Sequence, residues 1–135
     1  MNRELYRVID ANFNRSREGL RVCEEVARFV KSSSALTREL KSVRHSISSV
    51  LKRDPKTARM LNAARDSAKD VGKAVYSNTE MSRATFEDIF SANMQRVKES
   101  LRVLEEFYKM VDNKSSVKFG NLRFKVYGIE KKAFK

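Results

Sequence analysis

ANFNRSREGLRVCEE, Ala11 to Glu25, decides the fold, because it occurs twice. The second copy, ANMQRVKESLRVLEE, Ala92 to Glu106, lies 81 residues later and is identical at nine of fifteen positions. At about 100° per residue, Phe13, Leu20, Val22, Cys23, Val26, Ala27 and Val30 gather on one face. Asn14, Glu18, Arg21, Glu25 and Arg28 fall on the opposite one. Met94, Leu101, Val103, Leu104, Phe107, Tyr108 and Val111 repeat the apolar face in the second copy. Both copies therefore predict amphipathic helices.

Each apolar stripe carries a polar intrusion. Asn12 and Arg15 sit among Val22, Cys23, Val26 and Val30, and Asn93 and Arg96 repeat them. A buried polar group is costly unless it is hydrogen-bonded or paired. Two roles answer that cost. The Asn and Arg side chains bond each other or cap a neighbouring helix. Alternatively they line an anion pocket between the two helices, since the guanidinium fork suits phosphate.

A chain of 135 residues makes one domain with room for a real core. One Pro and four Gly argue against a strand-and-turn protein. The single cysteine, Cys23, excludes a disulfide framework and reads as a small core residue. The start, Met-Asn-Arg-Glu, has no apolar signal region, and no apolar run reaches membrane-spanning length. A cytoplasmic protein that does not enter a membrane is expected.

The net charge of +12 is unevenly placed. Lys31 to Arg59 carries eight basic and two acidic residues, and Lys114 to Lys135 carries seven and one. Together they hold the whole excess, while the two repeated helices are nearly neutral. This pattern points to an anionic partner, either phosphorylated metabolites or nucleic acid.

In chain order, Asn2 caps a first helix running to Lys31. Ser32-Ser33-Ser34 breaks it and offers caps for a second, from Ala35 to Arg53. Asp54 and Pro55 open a short third helix to about Ala63. A long helix begins near Ser82 or Thr85, with Thr85 and Asp88 as a capping box, and runs to Val111. Asp112 to Ser116 reads as a loop. Phe119, Leu122, Val126, Ile129 and Ala133 step by three and four, which predicts a helix over Val117 to Phe134. The expected fold is all-α: a compact bundle of four main helices plus a short one. The internal repeat relates the first and last long helices by a pseudo-twofold.

Asp66 and Asp70, four apart in Ala64-Arg-Asp-Ser-Ala-Lys-Asp-Val-Gly72, suit Mg²⁺, which takes one or two carboxylates plus substrate phosphates. A solvated loop with an Asp cap explains the same spacing equally well. His45, the lone histidine, makes neither a zinc site nor a catalytic triad.

Ile9 to Glu25, Leu40 to His45, Ala64 to Gly72, Ala92 to Arg96, Leu101 to Glu106 and Leu122 to Tyr127 together resemble a known family. It is a small hydroxymethylpyrimidine-phosphate kinase family, found alone or fused to the N-terminus of thiamine-phosphate synthase. The resemblance spans nearly the whole chain in order. It implies phosphoryl transfer from ATP to 4-amino-5-hydroxymethyl-2-methylpyrimidine phosphate, giving the diphosphate for thiamine biosynthesis. ATP and Mg²⁺ would then be the cofactors, and thiamine-phosphate synthase a candidate partner. The resemblance further implies that Arg15, Arg65 and Arg96 stabilise the transferring phosphoryl group and that Asn12, Asn93, Arg44, Glu18 and Glu99 bind substrate. No Walker A, Gly-rich phosphate loop or kinase catalytic-loop motif is present, so any ATP must be held by side chains of the bundle. Two other classes compete: a basic helical nucleic-acid-binding module, disfavoured by the charge-balanced repeats, and a non-catalytic partner domain of the synthase. The wide apolar faces leave a homo-oligomer open.

Overall fold

The computed structural model describes residues 2–75 and 82–134. Among them there are five α-helices and no strand: α1 (Arg3–Glu25), α2 (Ser34–Lys52), α3 (Pro55–Ala64), α4 (Phe86–Phe107) and α5 (Asn113–Ala133). One π turn, Val26–Val30, prolongs α1, and 3₁₀ turns occupy Ser67–Lys69 and Tyr108–Met110. Four long helices and one short one agree with the periodicity.

The helix starts are chemical. The side chains of Asn2, Ser33 and Asp54 accept from the backbone N–H groups of Leu5, Leu36 and Thr57. Thr85 and Asp88 form a reciprocal capping box. The predicted loop at 112–116 is mostly helix instead. Asp112 accepts from Lys114 N and Ser115 Oγ, so α5 starts at Asn113, four residues earlier than the spacing alone suggests.

α1 packs most extensively on α4; α5 packs on α4 and more lightly on α2, and α2 packs on α1; α3 lies across α1 and α2. Phe13 of α1 meets Tyr108 and Phe119 edge-on, with ring centroids 6.1 and 5.6 Å away, and fixes the centre of the core. The α1–α4 pair is antiparallel. Gly19 faces Asn93 and Val97, and one turn on, Cys23 Sγ donates to Phe90 O at 3.5 Å. Burial raises the Cys23 thiol to about 12, so it stays an inert core group.

Gly19 is what lets these helices approach. A Cβ there would lie 2.8 Å from Val97 Cγ2 and 3.1 Å from the Asn93 carbonyl oxygen. Gly19→Leu should therefore force the repeated helices apart and cost about 3 kcal/mol. Gly128 has nothing within 4 Å of the same position, so Gly128→Ala should gain up to about 1 kcal/mol from helix propensity. Thermal melting of the two variants checks the opposite signs.

The buried arc of α1 is rotated from the one the apolar residues suggest. It runs from Val26 through Cys23, Ile9 and Leu20 to Glu24 and Asp10. Val22 and Val30 lie outside it, 37% and 45% exposed, as does Phe107 of α4. Arg15 and Arg96, placed on the apolar stripe by their spacing, are both exposed. The α1–α4 seam is centred on Asn12, Ser16, Gly19 and Cys23, and Arg15 is one step past its edge. The predicted buried guanidinium pair is therefore corrected to two solvent-facing side chains. Asn12 is buried, and its Nδ2 donates to Val8 O at 2.8 Å. Asn93 donates to Ile89 O at the same distance. Each Asn thus donates on its own helix, four residues back, and Asn12 Oδ1 also accepts from Arg15 Nη1 at 3.5 Å, the Asn–Arg bond expected as one of the two roles.

Candidate anion-binding clefts around the third helix

Two acids that the sequence reading left out lie inside the buried arc, and each draws in a predicted arginine. Glu24, 5% exposed, takes Arg44 in a bidentate pair: Nε donates to Oε2 at 2.6 Å and Nη2 to Oε1 at 3.1 Å. Asp10, 7% exposed, takes Arg65 in the same way, at 2.8 and 2.6 Å. The hydrogen bonds to these carboxylates raise both guanidinium pKa values further above their ordinary range. Arg44 and Arg65 are therefore held by α1 before any ligand arrives.

The α1–α2 contact has a counterpart in α4–α5. Glu105, at Glu24's position in the second copy, pairs with Arg123 of α5, whose Nη2 is 3.3 Å from Oε1. Arg44 and Arg123 are 79 residues apart. The same offset carries the buried Leu40, Val43, Ile47 and Val50 of α2 onto Phe119, Leu122, Val126 and Ile129 of α5, all buried. The repeated contacts thus extend past the signature helices into the helices that follow them.

That correspondence brings two clefts into comparison. The first, of about 700 Å³, is lined by Arg17, Arg44, His45, Ser48, Lys52 and Arg59, with Leu51, Pro55 and Ala58. No carboxylate lines it, and among the described residues only Arg44 of its cations has an ion-pair partner. Its counterpart holds Lys98 where the first has Arg17, Arg123 for Arg44, and Tyr127 for Ser48. There Lys98 Nζ lies 2.6 Å from Glu130 Oε1, and Glu130 corresponds to Leu51. Arg102 reaches Glu105 and Glu106 as well. The second cleft supplies its own anions, and the first does not.

A further cleft of about 590 Å³ lies along α3. Tyr6, Met60, Ala63 and Ala64 give it an apolar floor, and Arg3, Lys56 and Arg59 rim it. Arg59 lines both this cleft and the cationic one. A flat ring on the apolar floor and a phosphate among the cations would meet at Arg59.

Of the predicted residues, the cationic cleft gathers Arg44. Asp66 stands beside the apolar cleft: Arg3 approaches it at 3.9 Å, and Arg7 donates to its carbonyl. Arg65 follows α3 directly. Asp66 and Asp70 each hold a local turn, accepting from Lys69 N and Gly72 N. Among the described residues no group of three or more His, Cys, Asp or Glu gathers as a metal cage. Arg15, Glu18, Arg96 and Glu99 are exposed on α1 and α4, and Glu99 lines the counterpart cleft. Arg17 and Arg59 were missed. The signal for Arg59 was the excess of basic over acidic residues from Lys31 to Arg59, which marked its segment without its geometry; Arg17, in the charge-balanced repeat, gave none.

Residues 7–132 match the ThiD2 family. The chain belongs to the ThiD2 family. It is 39% identical over 126 residues to the thiamine-phosphate synthase of Thermosynechococcus vestitus, covering 93% of this chain and 34% of that one. The thiamine-phosphate synthases of Rhodopirellula baltica and Synechocystis sp. are 36% and 39% identical, over 93% and 92% of this chain and 33% and 34% of theirs. The chain spans about a third of the length of these relatives. No solved structure matches it. No helix among the described residues is long and apolar enough to cross a membrane.

Proposed function

We propose that this ThiD2-family domain serves thiamine biosynthesis by transferring a phosphoryl group from ATP to 4-amino-5-hydroxymethyl-2-methylpyrimidine phosphate. The observation that carries the reading is the uncompensated cationic cleft beside an apolar one, against a duplicate cleft already neutralised by Glu130. The pyrimidine ring takes the Tyr6–Met60 floor, and its phosphate takes Arg59, Arg17 and Arg44. The product is a diphosphate, so the acceptor is a phosphate oxygen. A phosphate monoester is already largely ionised at neutral pH, its second pKa being about 6. No strong general base is required, in keeping with a cleft whose one histidine is His45. Positioning and charge neutralisation by the arginines supply the catalysis.

Mg²⁺ would be carried on the phosphates of ATP, where it neutralises charge. Asp66 and Asp70 are the sequence candidates for its ligands, but Asp66 stands against Arg3 and Arg7, about 20 Å along α1 from Arg21. Asp66→Asn tests the role, because Asn also caps turns and the fold should survive. The expected outcome is wild-type Mg²⁺ dependence with an unchanged melting temperature. A raised Mg²⁺ requirement would put the nucleotide beside Asp66 and overturn the donor site inferred below.

Incubating the protein with ATP, Mg²⁺ and the pyrimidine monophosphate should yield ADP and the pyrimidine diphosphate. Absence of ADP under saturating substrates would turn the assignment to the second reading, a non-catalytic partner domain of thiamine-phosphate synthase. That reading is favoured by relatives of that name three times the length of this chain.

A further inference from the structure

We infer that the cleft between the end of α1 and the start of α2 binds the polyphosphate of a nucleoside triphosphate. This rests on the phosphoryl-transfer reading and adds to it the place of the donor. The cleft, of about 650 Å³, is large enough for a phosphate chain and its ribose, and it opens to solvent where the π turn hands over to α2. Four cations line it, Arg21, Arg28, Arg38 and Lys41, against two carboxylates, Glu24 and Glu25. Arg21 is spread between Glu24 at 3.9 Å and Glu25 at 3.7 Å. Arg28 stacks on Phe29, and among the described residues neither it, Arg38 nor Lys41 has a carboxylate partner.

Helix α2 adds donors on the same side. It is 19 residues long and starts in Ser32-Ser33-Ser34, all three lining the cleft. Ser33 Oγ accepts from Leu36 N, and Thr37 N donates to Ser33 O, which leaves the first-turn N–H groups of Ser34 and Ala35 uncommitted. Three unpaired cations and two free N–H groups match a chain of three phosphates.

The position of the cleft is the second argument. Glu24 lines it, and Arg44, bonded to Glu24, lines the cationic cleft assigned to the acceptor. One buried ion pair is therefore a wall common to both. A donor and an acceptor phosphate on its two sides have the arrangement that phosphoryl transfer needs, with a guanidinium between them.

Calorimetric titration of ATP, tripolyphosphate and the pyrimidine monophosphate tests the site. The Arg38→Gln/Lys41→Gln variant should bind ATP and tripolyphosphate at least about tenfold more weakly than the wild type. Its affinity for the pyrimidine monophosphate and its melting temperature should stay unchanged. ATP affinity within twofold of wild type in that variant would overturn this site and leave the functional reading intact. A wild-type protein that binds neither ATP nor the pyrimidine phosphate would overturn both.

Discussion

Replacing Arg44 with Leu should cost about 3–5 kcal/mol, because it strands the Glu24 carboxylate in the core. That side chain is 6% exposed, and Arg44 supplies both of its short hydrogen bonds. The melting temperature should fall by roughly 10–15 °C, given the entropy of unfolding for a domain of this size. The double variant Glu24→Leu/Arg44→Leu should recover most of the loss, since a buried ion pair exchanged for packed apolar groups is often neutral. Arg65→Leu should cost less, although Arg65 also bonds a buried acid in bidentate fashion. Its side chain is 48% exposed, so water reaches the Asp10 carboxylate once the guanidinium is gone. Equal melting temperatures for Arg44→Leu and Arg65→Leu would contradict this account of α1.

Arg59→Gln should weaken binding of the pyrimidine monophosphate by about ten- to a hundredfold, the value of one charge-assisted contact of about 1.5–3 kcal/mol. Stability should hold or rise slightly. Arg59 has no carboxylate partner among the described residues, and it shares its cleft with Arg17, Arg44 and Lys52. Lys98→Gln in the duplicate cleft is the matched control. It should leave the affinity unchanged and lower the melting temperature, because Lys98 is mostly buried against Glu130 and over the Tyr127 ring. Isothermal titration with parallel melting curves reads both variants. An affinity that falls for Lys98→Gln and not for Arg59→Gln would assign the ligand to the wrong copy.

What the sequence made legible was local. A helix start is encoded within three or four residues of itself, so Asn2, Ser33, Asp54 and the Thr85–Asp88 box could be read directly and are found in those roles. The α5 helix was readable through Phe119, Leu122, Val126, Ile129 and Ala133, although Val117, Phe124 and Tyr127 face solvent and blur its stripe. The doubled signature likewise placed α1 against α4.

What escaped was set by neighbours. The arc of α1 that becomes buried depends on where α2, α3 and α4 dock, and nothing inside Ala11–Glu25 states that. The apolar residues alone centre the face near Cys23 and stretch it to Val22, which drew Arg15 in at one edge and left Glu24 and Asp10 beyond the other. The docked helices put those acids inside, and their partners lie 20 and 55 residues away in sequence. Arg17 and Arg59 become one site only because α3 folds back across α1 and α2. Net charge located the segment; tertiary packing decided which of its cations remain unpaired.

The central claim is that the uncompensated cleft, and not its duplicate, holds the phosphorylated pyrimidine. Titrating isotope-labelled protein with the pyrimidine monophosphate and following backbone amide shifts by NMR tests it most directly. The account predicts shifts concentrated at Arg17, Arg44, His45 and Arg59, with Tyr6 and Met60 reporting the ring. Shifts centred on Lys98, Arg123 and Tyr127, or none at millimolar ligand, would contradict it.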